Sequence, residues 1–269
     1  MPGVRQWMGD LLLRAPAPLR SARKFPILGN AVHVLSHWIL PTEEKVWAQV
    51  QKGPLQGIWL QLNPRTGQGY YRGETEPAAQ EVILQNLHPG DVFYDLGANI
   101  GLFSLLGAKI VENAGRVYSF EPDAEVAARL RRNVARNGFS NVTIVEAGVW
   151  SSSGSLNFSP ADASSVDRGT GSFVRANPTV PAGAVRCVAL DDFIGAAPPP
   201  NGIKCDVEFA EWEVLRGAKH LLETRRPWIL CELHSEENSR AIRAFLGELR
   251  YEIQDVDRSH IFAFAASRG

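Results

Sequence analysis

Apolar and polar positions in the second half of this chain switch repeatedly between a period of two and a helical period, and the switches fall in order. The apolar run 91–96 breaks into the glycine-bracketed turn Asp95-Leu96-Gly97-Ala98-Asn99-Ile100-Gly101 and reads as strand, turn and helix start. Residues 116–120 read as a second strand. Asp123 then offers a helix N-cap, Val126, Leu130 and Val134 recur at i, i+4 and i+8, and Asn137-Gly138 supplies a stop. Residues 142–145 form a third predicted strand, 185–190 a further one, then 203–206 and 228–231. Helices are predicted over 211–223 and around Ile242, Phe245, Leu246 and Leu249. Residues 251–256 and 261–265 close the chain as a hairpin. Alternation of strand and helix predicts an α/β fold with a mostly parallel sheet and right-handed crossovers.

The first third follows a different pattern. Residues 1–52 are expected to form a helical extension: Trp7, Met8, Leu11 and Leu12 stand at helical spacing, and the run 31–50 holds Trp38, Ile39, Leu40, Val46 and Trp47. Residues 53–88 are expected to form a small cap, a β-meander over 53–76 and then a helix over 78–87. Residues 89–269 carry the main domain, interrupted over 151–184 by a Ser-, Gly- and Pro-rich insertion that reads as a lid beside the pocket.

Composition removes several classes of function. With 28 basic against 29 acidic residues in 269, net charge is -1, so no global field favours nucleic acid. Residues 1–30 are locally basic, and a peripheral membrane or partner contact competes there with simple packing on the domain. No apolar stretch reaches the roughly 20 residues of a spanning helix, and Leu11-Leu12-Leu13 is too short for a signal sequence. Cys187, Cys205 and Cys231 lie in apolar runs without C-x-x-C spacing, as reduced core thiols do. A soluble cytoplasmic protein is expected.

The turn after the first main-domain strand carries the first chemical signal. A dinucleotide fingerprint needs glycine at its middle position to admit a pyrophosphate, and Asn99 stands there instead. That favours an adenosine ligand without a pyrophosphate, of which S-adenosylmethionine is one, over NAD. Glu121 ends the next strand, followed by Pro122, where a carboxylate can accept both ribose hydroxyls. Glu146 is expected at the adenine edge with Ala147 and Gly148 on the ring face. Asn99, with the amides of Gly97 and Ala98, is expected to hold the amino-acid portion, and Asp95 to face its ammonium group.

Asp95, Glu121, Glu146, Asp206 and Glu232 each stand at a predicted strand end, where open α/β sheets bind ligands. Asp206 and Glu208 are two apart, as are Glu232 and His234, so each pair projects to one side of an extended backbone. Asp206, Glu232 and His234 allow three readings: ligands of a divalent cation such as Mg, a general base for an acceptor hydroxyl, or a structural ion pair.

The ordered set Asp95-Leu96-Gly97-Ala98-Asn99-Ile100-Gly101, Phe120-Glu121-Pro122, Leu190-Asp191-Asp192-Phe193, Lys204-Cys205-Asp206-Val207-Glu208 and Glu213-Val214-Leu215-Arg216-Gly217-Ala218 resembles the FkbM family of S-adenosylmethionine-dependent methyltransferases. Gly73-Glu74-Thr75-Glu76 resembles a short element ahead of that family's core. The resemblance implies a class I methyltransferase fold, a seven-stranded sheet whose last strand is antiparallel. It also implies O-methylation of a small-molecule or glycan acceptor with a free hydroxyl, commonly on a sugar or secondary metabolite. One position departs: Phe209 stands where the family has glycine after D-x-E. Its ring either stacks on substrate or blocks the acceptor site, and a blocked site would leave a module that only binds S-adenosylmethionine.

Overall fold

The computed structural model describes residues 2–14, 45–158 and 183–265. The described residues divide into one compact unit ending at Thr75 and another beginning at Glu76.

In the first unit, helix α1 (Pro2–Arg14) lies against strand β1 (Val46–Gln49), which pairs antiparallel with β2 (Trp59–Leu62); α2 (Gln68–Arg72) follows. The Gln6 side chain bonds both the carbonyl and the amide of Trp47, at 2.7 and 3.1 Å, replacing ladder partners on that edge. Trp7 and Leu11 remain exposed while Leu13 is buried. The helical reading of 31–50 fails at its described end, because Val46 and Ala48 are buried and alternate with the more open Trp47 and Gln49, the two-residue period of a strand. Residues 31–44 lie outside the described residues. The meander expected over 53–76 is a single strand and a short helix, since β2 finds its partner upstream in β1.

The second unit opens with α3 (Pro77–Asn86) and continues β3 (Val92–Leu96), α4 (Leu102–Val111), β4 (Arg116–Phe120), α5 (Ala124–Arg136) and β5 (Val142–Val145). Three strands, β6 (Gly148–Val149), β7 (Gly154–Phe158) and β8 (Gly183–Val188), form a separate small sheet in the order β6-β8-β7. The predicted insertion is therefore structured at both ends; 159–182 lie outside the described residues, and so does most of the predicted lid. The chain returns through α6 (Leu190–Phe193), β9 (Gly202–Cys205), α7 (Glu211–Arg216), α8 (Lys219–Thr224), β10 (Trp228–Glu232), α9 (Glu236–Glu248), β11 (Tyr251–Asp255) and β12 (His260–Ala265).

The main sheet has seven strands in the order β11-β12-β10-β9-β3-β4-β5. All neighbours from β5 to β10 are parallel, and β12 runs antiparallel to both β10 and β11. This is the class I methyltransferase arrangement. Strand β3 lies in its interior between β9 and β4, buried at four of its five positions as expected for a strand covered on both faces. Helix α4 is apolar almost all round and accordingly buried. In α5 the predicted stripe of Val126, Leu130 and Val134 faces inward, and Asp123 caps the helix by accepting from the amides of Glu125 and Val126. The single helix predicted over 211–223 is two, because Gly217 packs on the backbone: a Cβ there would fall 2.2 Å from the Trp150 carbonyl oxygen. Asp191 supplies the cap that α8 lacks, accepting from the amides of His220 and Leu221 at 2.9 and 2.8 Å.

Because β3 pairs with β4 on one side and β9 on the other, successive strands leave the centre in opposite directions there. Such a switch point opens a crevice beyond the carboxyl ends of the strands. The chemistry gathers at that edge.

Candidate active site

Backbone geometry makes the turn after β3. Gly97 has φ +77°, and a Cβ on it would lie 1.8 Å from the carbonyl oxygen of Asp206. The turn can therefore close only over glycine, and doing so brings it into contact with the end of β9. Asn99 also adopts the left-handed region, φ 49°, which asparagine tolerates better than most residues. Gly101 donates to the Ala98 carbonyl at 2.9 Å and lies beside Leu130. The amides of Gly97 and Ala98, expected to grip a ligand, instead both donate to the Phe120 carbonyl, at 3.1 and 2.9 Å. They brace β3 against β4.

Glu121 lies where the turn faces β4. Its two carboxylate oxygens accept from the amides of Asn99 and Asp123, both at 2.9 Å, and the side chain is buried. Burial pushes its pKa up to about 7, against the pull of those two amides. Pro122 follows, half-buried. Glu146, expected beside an adenine, is exposed and paired with Arg131 of α5 at 2.6 Å. Ala147 and Gly148 are buried behind it.

Asp95 is buried and accepts from Ser104 at 2.6 Å, and Ser104 in turn accepts from Ser119 at 2.7 Å. Its other oxygen, Oδ1, has no hydrogen-bond partner. Burial raises its pKa, opposed by Lys204. An orphaned buried carboxylate oxygen beside a glycine turn fits a cationic group of a ligand.

The far side of the crevice is denser in charge. Asp206, Glu232 and His234 converge as expected, with ligand-capable atoms of all three within 4.8 Å of one another. Nε2 of His234 lies 3.6 Å from Glu208, 3.7 Å from Asp206 and 4.0 Å from Glu232. Its Nδ1 meets Glu211 at 2.5 Å. That bond, working against burial, lifts the His234 pKa to about 9. Burial raises Glu208 and Glu232 as well. Burial would also raise Asp206, but Lys204, with Nζ 2.7 Å from its Oδ2, outweighs this and lowers it. Lys204 is itself buried against its charge, held protonated by Asp206, Asp95 and Glu76. Cys205 and Cys231 point into the core, as the two-residue period requires.

Several of these residues escaped prediction. Glu211, fully buried, accepts from His234, from the Phe209 amide at 3.0 Å and from Asn238 at 2.5 Å, and so holds loop, helix α9 and imidazole together. Its only sequence signal was a charge at the start of a predicted helix. Lys204 had a better one, standing two residues from Asp206 on the same strand face. Phe209 adopts φ 66°, the region glycine would take without strain. The residue is 62% exposed, with its ring 5.5 Å from the His234 ring, so it stands at the mouth of the cluster rather than within it.

The methyltransferase FkbM domain matches residues 95–253, more than half of the chain and the whole of this crevice from Asp95 to His234. The chain belongs to the FkbM family of S-adenosylmethionine-dependent methyltransferases. A hexuronic acid methyltransferase of Haloferax volcanii, AglP, is 29% identical over 195 residues, covering 71% of this chain and 76% of that protein. The AMB antimetabolite synthetase AmbE of Pseudomonas aeruginosa is 37% identical over 89 residues, which are 29% of this chain but 4% of the synthetase. Among solved structures, an FkbM methyltransferase of Methylobacillus flagellatus KT superposes with a TM-score of 0.48 at 18% identity, over 71% of this chain and 54% of that one. Membership in a family that uses S-adenosylmethionine leaves the NAD alternative without support. Among the described residues, no helix is long and apolar enough to cross a membrane.

Proposed function

We propose that this FkbM-family chain transfers a methyl group from S-adenosylmethionine to an oxygen of a sugar-type acceptor. The observation that carries the reading is the contact between the two halves of the crevice: the Gly97 turn closes directly over the Asp206 carbonyl. Donor-side and acceptor-side residues thus share one edge of the sheet. The hexuronic acid methyltransferase relative favours a sugar acceptor over other oxygen nucleophiles.

S-adenosylmethionine supplies a sulfonium-bound methyl group open to in-line attack by oxygen. Glu121 would offer acceptors to its ribose hydroxyls, and the unpartnered oxygen of Asp95 would meet the positive end of its amino-acid portion. Asn99 and Gly101 shape the turn between them. Glu232, whose burial favours its protonated form, receives the proton that leaves the acceptor hydroxyl, beside Asp206 and the His234 imidazolium that Glu211 fixes with Nε2 toward the crevice. The exposed Phe209 ring offers an apolar face on which a sugar ring can stack.

The test is transfer of methyl-labelled S-adenosylmethionine to a panel of free and glycan-bound sugars, hexuronates included. Label in an alkali-resistant ether would place the methyl group on a hydroxyl, whereas alkali-labile label would place it on a carboxylate. Tight donor binding with no transfer to any sugar would overturn the acceptor assignment and favour a chain that only binds the donor.

A further inference from the structure

Beyond the family crevice, a second histidine occupies an unusual position. His260 begins β12 and is the cross-strand partner of Glu232 on β10, so the two side chains emerge on the same face. It is 3% exposed. Its Nδ1 lies 3.0 Å from both carboxylate oxygens of Asp257, which also accepts from the amides of Ser259 and His260 at 2.9 Å. Asp257 accepts only, so it keeps a proton on Nδ1 and turns Nε2 inward. Nε2 has no hydrogen-bond partner. It faces Glu76 Oε2 at 3.4 Å and Glu232 Oε2 at 3.7 Å, near enough for charge and too poorly aligned for a hydrogen bond.

Glu76 Oε2 is likewise buried without a hydrogen-bond partner. The backbone of Glu76 is held at φ 46°, ψ 55°, ahead of Pro77. A non-glycine residue seldom adopts that left-handed region.

The geometry points to a divalent-cation site formed by Glu76, Glu232 and His260, with Asp257 as the positioning residue behind the imidazole. Ligand-capable atoms of these three lie within 4.8 Å of one another. Metal–ligand bonds of about 2.1 Å place neighbouring donors roughly 3.0–3.4 Å apart, so the 3.4 and 3.7 Å spacings from the His260 Nε2 to the two glutamates need only a slight contraction. A carboxylate hydrogen-bonded to the far nitrogen of a ligand histidine is the usual support for such a site. Two carboxylates with one imidazole suit Mn2+ or Zn2+ better than Mg2+, which prefers oxygen and retains water. The neighbouring trio of Asp206, Glu232 and His234 is the weaker candidate. There Lys204 already neutralises Asp206, with its Nζ 2.7 Å from the carboxylate. Sharing Glu232, a cation at His260 would lie against the carboxylate proposed to take the acceptor proton.

Titration of the full chain, stripped with EDTA and followed by electron paramagnetic resonance of free Mn2+, tests this. One saturable site per chain is expected. His260→Gln and Glu76→Gln should each weaken it at least about tenfold, and Asp257→Asn by roughly tenfold through the imidazole's orientation. Asp206→Asn and His234→Ala should retain the wild-type Mn2+ affinity. Circular dichroism confirms folding, and the surface position of Asp257 keeps one informative variant if His260→Gln unfolds. Absence of saturable Mn2+ binding would overturn the site and leave His260 as an imidazolium paired with two glutamates. Loss of binding in Asp206→Asn and His234→Ala, with Glu76→Gln and His260→Gln unaffected, would also overturn it. The assay requires no methyl donor, so its failure is distinguishable from failure of the proposed reaction.

Discussion

The two sides of the crevice are built by different means. On the donor side, the turn over residues 95–101 owes its shape to the backbone: a left-handed glycine, a left-handed asparagine, and two amides spent on the Phe120 carbonyl. On the acceptor side the backbone supplies only strand ends, and side chains from β9, α7, β10 and α9 make the site by bonding one another. The first construction tolerates few residues at each position. The second can be retuned one side chain at a time.

Replacing Gly97 should break this division most severely. Gly97→Ala puts a methyl group against the Asp206 carbonyl at a positive φ. It is expected to destabilise the chain by about 3 kcal/mol or more and to abolish donor binding, as measured by urea denaturation and calorimetry. A change below about 1 kcal/mol would mean that the turn and the β9 end do not touch. Next in size are Glu232→Gln and His234→Ala. Each is expected to lower kcat by about 100-fold or more, Glu232→Gln by removing the proton acceptor and His234→Ala by removing the imidazolium beside it, with the S-adenosylmethionine dissociation constant unchanged. Glu211→Ala removes a buried acceptor from three donors and should lose on the order of 3 kcal/mol along with activity. An equally stable variant would show that Glu211 does not organise the loop.

Glu121 gives the donor side a pH signature. Its folded pKa of about 7 lies above its ordinary value of 4.5, so the folded chain holds this proton longer than the unfolded one. Its effect on stability is therefore nil below pH 4.5, becomes increasingly unfavourable as pH rises toward 7, and levels off above that. Ribose hydroxyls need the ionised form as acceptor, so donor affinity should rise about tenfold between pH 6 and pH 8, an increase that Glu121→Gln removes. Calorimetry across that range checks it. The smallest effect is expected at Phe209. Phe209→Gly relieves a left-handed phenylalanine but frees the unfolded chain, two terms of about 1 kcal/mol each that nearly cancel. Stability and donor affinity should hold while the KM for acceptor rises several-fold; a gain in turnover would instead identify the ring as an obstruction.

The same contrast explains what could be read from the sequence. Strands β3, β4 and β5, the Asp123 cap and Glu121 were legible because each depends on local spacing, period or a turn that only certain residues can make. Asp206, Glu232 and His234 could be grouped because they stand at strand ends, two residues from a neighbour on the same face. Glu211 and Lys204 were passed over, since a buried charge is recognisable only when its partners are known, and those come from other elements. Glu76 and His260 lie far apart in the chain, and only the β10–β12 register carries His260 to Glu232. Gly97 and Ala98 misled in the opposite sense. Free amides at a glycine turn are a sound expectation, but β4 approached closely enough to take both. Val46–Gln49 misled because a short tryptophan-containing apolar run fits either period until its pairing strand is found.

The division between the two sides can be tested in one measurement, calorimetric titration of S-adenosylmethionine into the wild-type chain and into the Glu232→Gln/His234→Ala double variant. Both are expected to bind one donor with the same dissociation constant, although only the wild type transfers its methyl group. Failure of the wild type to bind, or loss of donor affinity in the double variant, would contradict a donor site built by the turn at residues 95–101 and Glu121 alone.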